Sequence, residues 1–208
     1  MRNKTLLAVV LVLCAGEMAM ADSYNATETA HFTVQQSDGA DEVRSYAPRL
    51  MAEVTVPGSQ SQAVRAGFRI LAGHIFGADE GAAKLAMTTP VAQAPAPAKI
   101  AMTTPVAQAQ SGDGWVVQFM MPSSDTLDTL PKARDPRVRF VEVPANRQAV
   151  LQFSGLSGAG KLAAKEAELR AWAAAQGLKI KAGLSYYFYD PPWTLPWNRR
   201  NEVAFVPQ

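Results

Sequence analysis

The sequence predicts an α+β fold made of two related halves, each a strand region, a helix and two further strands, and two observations carry that prediction. Residues 42–58 (EVRSYAPRLMAEVTVPG) and 139–155 (RFVEVPANRQAVLQFSG) are both strand-like, each broken by a proline, Pro48 or Pro144, and each ended by a glycine, Gly58 or Gly155. Each leads into a helical stretch, 60–76 closed by Gly77 and 161–176 closed by Gly177. Those glycines stand where a helix favours a left-handed C-terminal residue. The offset between the halves is about 97 residues, and they match in pattern rather than in identity.

The strands that complete each half follow the helices. In the first half a ten-residue string is written twice, KLAMTTPVAQ at 84–93 and KIAMTTPVAQ at 99–108, differing only at Leu85 and Ile100. A repeat this short is no solenoid unit. The link between the copies contains Pro95 and Pro97, which lack the donor N–H, so a hairpin is expected, continuing into 114–121 (GWVVQFMM). Met87 and Met102 then share one apolar surface, as core filler or as thioether ligands for a soft metal or iron. In the second half the strands are expected at 179–189 and 201–206.

Helical periodicity in the first helix puts Val64, Phe68, Leu71 and Ile75 on a sheet-facing stripe. His74 lies at the edge of that stripe above Gly67 and Ala63, with Arg65 and Arg69 along the opposite edge. Small residues beside a ring nitrogen leave either a shallow concavity for a flat ligand or simply a close helix–sheet contact with a boundary histidine. The second helix turns Leu162, Leu169, Trp172 and Ala173 inward, carries a Glu166–Arg170 pair, and reads as scaffold.

With 208 residues, 48% of them hydrophobic and 18% charged, the chain has material for one packed core. Residues 1–21 read as a signal peptide: Arg2 and Lys4, an apolar run from Leu6 to Ala15, then the small-x-small site Ala19-Met20-Ala21. That run is too short to span a bilayer, so residues 22–208 are expected as a single exported domain, periplasmic or secreted. The one cysteine, Cys14, falls inside the leader, which leaves the mature chain without disulfides, thiolate nucleophiles or cysteine metal sites. The mature chain has 18 basic and 17 acidic residues and no basic stripe, which argues against nucleic-acid binding. No hydrolase elbow, phosphate loop or zinc spacing occurs, and His31 and His74 are the only histidines.

The last distinctive passage is YDPPWTLPWNRRNEVAFV, residues 189–206, where prolines force an extended loop and Trp193 and Trp197 precede Arg199 and Arg200. It suits a ligand with an aromatic body and carboxylate arms. The alternative is a loop that pins the last strand, its tryptophans in the core and Glu202 pairing one arginine.

EVRSYAPRLMAEV, GFRILAGHIFG, the two AMTTPV strings, LPKARDPRV and YDPPWTLPWNRRNEV together resemble the SOUL family of haem-binding proteins, from about Asp41 to the end of the chain. The resemblance implies a distorted β-barrel flanked by two helices. It also implies binding of haem or another tetrapyrrole in a hydrophobic groove beside the first helix. Its two-half architecture is similar to bacterial effector-binding domains of the gyrase-inhibitory type. Some relatives carry an axial histidine between the arginine and tyrosine of the first strand, where this chain has Ser45.

A non-enzymatic, monomeric tetrapyrrole binder is therefore expected, with Phe68, Leu71, Met87 and Met102 giving apolar contact. Arg65, Arg199 and Arg200 would meet propionates, and His74 would be the substitute iron ligand if one is used. Two rivals are an enzyme using Glu53 or Tyr186 as acid or base, and an envelope interaction protein that docks through its WTLPW loop. Only indoles projecting into solvent favour the last.

Overall fold

The computed structural model describes residues 23–25, 27–75, 106–111, 114–130 and 132–208; the leader, Gly77, Met87, Met102 and most of the twin string lie outside them. In chain order the strands are β1 (Ser23–Tyr24), β2 (Thr27–Glu28), β3 (Phe32–Asp38), β4 (Asp41–Tyr46) and β5 (Arg49–Pro57), followed by helix α1 (Gln60–Ile75). Then come β6 (Val106–Ser111), β7 (Gly114–Met120), β8 (Arg139–Val143), β9 (Asn146–Phe153), helix α2 (Ala159–Ala175), β10 (Ile180–Phe188) and β11 (Asn201–Pro207). Strands β1 and β2 form a small ribbon, and the other nine make one antiparallel sheet in the order β3-β4-β9-β11-β10-β6-β7-β5-β8.

The two proline breaks decide the shape of that sheet. Ala47-Pro48 joins β4 to β5, and Pro144-Ala145 joins β8 to β9, yet the partners of each link stand six places apart in the strand order. Two residues span only about 7 Å, so the sheet has to curl until its ends approach. Arg49 Nη1 donates to Asn146 Oδ1 at 3.3 Å across that approach. The sheet nevertheless ends at β3 and β8 instead of closing, which corrects the expected barrel.

Residues directly opposed across neighbouring strands share a face. The register Val117–Gln108–Tyr186–Val203 therefore places α1 and α2 on the same face of the sheet. Under α1 pack Ala52, Val54, Val117 and Phe119 with Leu71; under α2 pack Leu151, Phe153, Val203 and Phe205 with Leu162 and Leu169. The expected α1 stripe is turned toward smaller residues, because the seam is Ala63, Gly67 and Leu71 while Phe68 faces outward. Gly67 sits so close to β7 that an added Cβ would lie 2.6 Å from the Val117 side chain. Gly58 and Gly155 end their strands with nearly equal φ values of 104° and 106°, a conformation that only glycine adopts readily.

Candidate functional site

The outer surface of α1 carries Phe68, which is 42% exposed although its inner edge meets Phe119 of β7 at a ring distance of 5.3 Å. Half the ring is thus fixed and half is open, and Arg65 lies one turn before it with Nε on the carbonyl of Ser61 at 3.0 Å. Leu71 has no exposure and belongs to the core, so it holds the helix down and presents nothing to a ligand. His74 leans the other way, its ring 5.6 Å from Phe140 of β8. Strand β5 separates β7 from β8, so Phe68 and His74 overlie strands about 10 Å apart. The structure does not bring the two rings together.

The loop between β10 and β11 decides between the two readings of its tryptophans, because neither indole is in the core. Trp193 and Trp197 are 71% and 69% exposed. The loop is held by its backbone: Thr194 N donates to Pro191 O at 3.0 Å, Asn198 N to Leu195 O at 2.9 Å, and Gly155 N to Pro196 O at 2.9 Å. Arg199 folds back, donating through Nε to Thr194 O at 2.7 Å and through Nη2 to Pro192 O. Arg200 is likewise engaged, with Nη2 on Glu202 Oε1 at 2.7 Å and its guanidinium over the Tyr189 ring at 4.2 Å. Both arginines hold the loop in place, so neither is displayed as an open clamp for a propionate.

Glu202 is the centre of a charge network on the sheet face away from the helices, and it is fully buried. It accepts from Arg200, from Arg44 Nη1 at 2.9 Å and from Tyr189 OH at 2.9 Å. Arg44, itself 1% exposed, also donates through Nε to Glu42 Oε2 at 2.6 Å and through Nη1 to Tyr46 OH at 3.2 Å. Burial pushes the Tyr46 and Tyr189 phenols up, and the Glu202 charge pushes them further. Sequence reading found only the Arg–Glu202 pairing. The signal for the rest was alternation, Arg44 and Tyr46 standing two residues apart on one face of β4, with Arg200 just before β11 two residues ahead of Glu202. Beside the network, Tyr46, Met51, Met120, Tyr187 and Ala30 enclose a cavity of about 20 Å³, room for roughly one water. That cavity is too small for a ring ligand.

Glu53 accepts from Gln118 Nε2 and Arg139 Nη2, both at 2.9 Å, and alternates away from Ala52 and Val54, which pack under α1. Tyr186 is packed beneath α2, where burial first and Glu166 second push its phenol up to about 12. Neither group faces the open flank of Phe68. Among the described residues, no cluster of three or more His, Cys, Asp or Glu is placed to hold a metal ion.

An antiparallel sheet with two helices on one face defines an α+β domain. The chain belongs to the SOUL heme-binding protein family, which it matches over residues 27–206. No curated protein matches it significantly in sequence. Among solved structures, it is similar to a hydrolase from Listeria innocua, at 13% identity and TM-score 0.54, with 84% of this chain and 94% of that one covered. The EcmrR C-terminal domain is similar at 12% identity and TM-score 0.56, covering 81% and 96%. An uncharacterized conserved protein from Listeria innocua follows at 12% identity and TM-score 0.53, covering 81% and 92%. At these identities the likeness is one of fold.

Proposed function

We propose that this protein is an exported, monomeric, non-enzymatic binder of haem or a related tetrapyrrole, which it holds against the outer flank of α1. Family membership supports the ligand class, and the observation that carries the location is Phe68, a large aromatic fixed on Phe119 along one edge and left 42% exposed on the other. Apolar area removed from water contributes about 25 cal/mol per Å², so a macrocycle laid on this ring gains affinity without any iron ligand. Arg65, one turn away, is placed to meet a propionate. Bound haem would supply its iron's coordination chemistry, while the chain's own part is to hold the ring and its carboxylates. His74 lies over a different strand and is not needed in this reading. The strand order, which runs outward from the β10–β6 pair as β11, β9, β4 on one side and β7, β5, β8 on the other, supports descent from two copies of one unit.

The test is absorption titration of residues 22–208 with haem and with metal-free protoporphyrin. Phe68→Asp should weaken both ligands at least tenfold, because the new carboxylate must be desolvated when the ring docks. His74→Ala should leave the Soret position and both affinities nearly unchanged. A folded Phe68→Asp protein with wild-type affinity overturns the site, and a wild-type protein that binds neither ligand overturns the function.

A further inference from the structure

Six large apolar side chains stand exposed among the described residues, and four of them, Leu156, Trp193, Leu195 and Trp197, sit together at one end of the molecule. The bond from Gly155 N to Pro196 O brings the β9–α2 turn carrying Leu156 against the tryptophan loop. The indoles are displayed by a built support. Arg199 spans the loop from inside, Arg200 N donates to Asp190 Oδ2 at 2.7 Å, and Tyr24 OH donates to the same carboxylate oxygen at 3.0 Å. Behind Trp197 opens a cleft whose walls carry Lys161, Lys165, Arg199 and Arg200 and no carboxylate. Lys165 also meets Glu168 at 2.6 Å outside that wall, and Arg200 meets Glu202.

We propose that this end of the protein is a docking surface for a lipid bilayer with anionic headgroups. Trp is the side chain best suited to the boundary of a bilayer, because its ring is apolar while its N–H stays in the hydrated headgroup layer. Exposed indoles and leucines without nearby charge would suit any apolar partner. Here Lys161 and Lys165 of the cleft adjoin them, which is the pairing of shallow apolar insertion with headgroup attraction that surface-bound proteins use. Among the described residues no helix is long and apolar enough to cross a membrane, and the proposed attachment is through the side chains of this end alone. A fixed loop loses little conformational freedom on docking, which favours it over a mobile one.

The experiment is co-sedimentation of residues 22–208 with vesicles of phosphatidylcholine alone and of phosphatidylcholine mixed with phosphatidylglycerol, with tryptophan fluorescence as a second readout. The wild-type chain should sediment with the mixed vesicles, shift its emission to the blue, and bind at least about tenfold more weakly to phosphatidylcholine alone or at high salt. Trp193→Ser with Trp197→Ser should lose binding about tenfold or more while far-UV circular dichroism stays unchanged. Lys161→Glu should weaken binding to the mixed vesicles only. The proposal is overturned if the wild type stays in the supernatant with mixed vesicles, or if the folded double variant binds like the wild type. It is equally overturned if vesicles are ignored and the loop instead drives self-association in sedimentation velocity.

Discussion

Glu202 shows how much a single buried carboxylate carries, because it answers two guanidinium groups and a phenol at once. Removing it leaves Arg44 buried without its main counter-charge, and such a loss costs about 3–5 kcal/mol. Glu202→Ala should therefore lower the urea midpoint by that free energy divided by the m-value, with the m-value itself unchanged. Asp41 behaves oppositely. It faces Asp38 directly across the β3–β4 hairpin, its Oδ1 has no hydrogen-bond partner, and burial first, then Glu168 and Asp38, push its carboxyl up to about 6. The folded state thus holds the Asp41 proton more tightly than the unfolded chain. Stability is favoured below about pH 4 and declines as pH rises toward 6, then levels off. Asp41→Asn should remove that slope and stabilise the protein at pH 7 by about 1 kcal/mol, the shift being discounted for a half-exposed group. Thermal melts between pH 4 and 7 check this.

Helix α1 contains two glycines with opposite roles. Gly67 has Val117 where its Cβ would go, whereas Gly73 has nothing within 4 Å of that position. Gly67→Ala should destabilise by about 1–3 kcal/mol through overpacking, and it would tilt the Phe68 flank as well. Gly73→Ala should stabilise by about 0.5–1 kcal/mol, since alanine restricts the unfolded chain and favours helix. Denaturant curves of the two variants should move in opposite directions. The same helix shows where the sequence was legible and where it was not. Its start and extent followed from the apolar period and Gly58, but its buried face did not, because periodicity weights large apolar residues while this seam is built on small ones. Strand β3 was missed because its FTVQQSD run has little apolar alternation and is stabilised by pairing with β4, a tertiary partner. The tryptophans were legible as distinctive, but their exposure was not, because it depends on Arg199 and Pro196 bonding inside the loop.

At the scale of the whole molecule, strands from the two ends of the chain are interleaved: β4 pairs with β9, and β8 pairs with β5. That pairing was not readable from either segment, since both look like ordinary hairpins around a proline until the strand order shows that Pro48 and Pro144 connect strands from opposite ends of the sheet. A fragment comprising residues 139–208 keeps β9-β11-β10 but loses β5 beside β8, β4 beside β9 and β6 beside β10. It should show no cooperative urea transition by far-UV circular dichroism, whereas residues 22–208 should give one transition shared by all probes. Strand β11 adds a constraint of timing, for it is the last strand in the chain and yet lies between β9 and β10. Until residues 201–207 leave the ribosome, β9 and β10 face an empty slot, and Arg44 waits for Glu202. The slot between β9 and β10 is filled only once residues 201–207 are made, so the pairing of β9 with β10 through β11 is the last step in assembling the sheet.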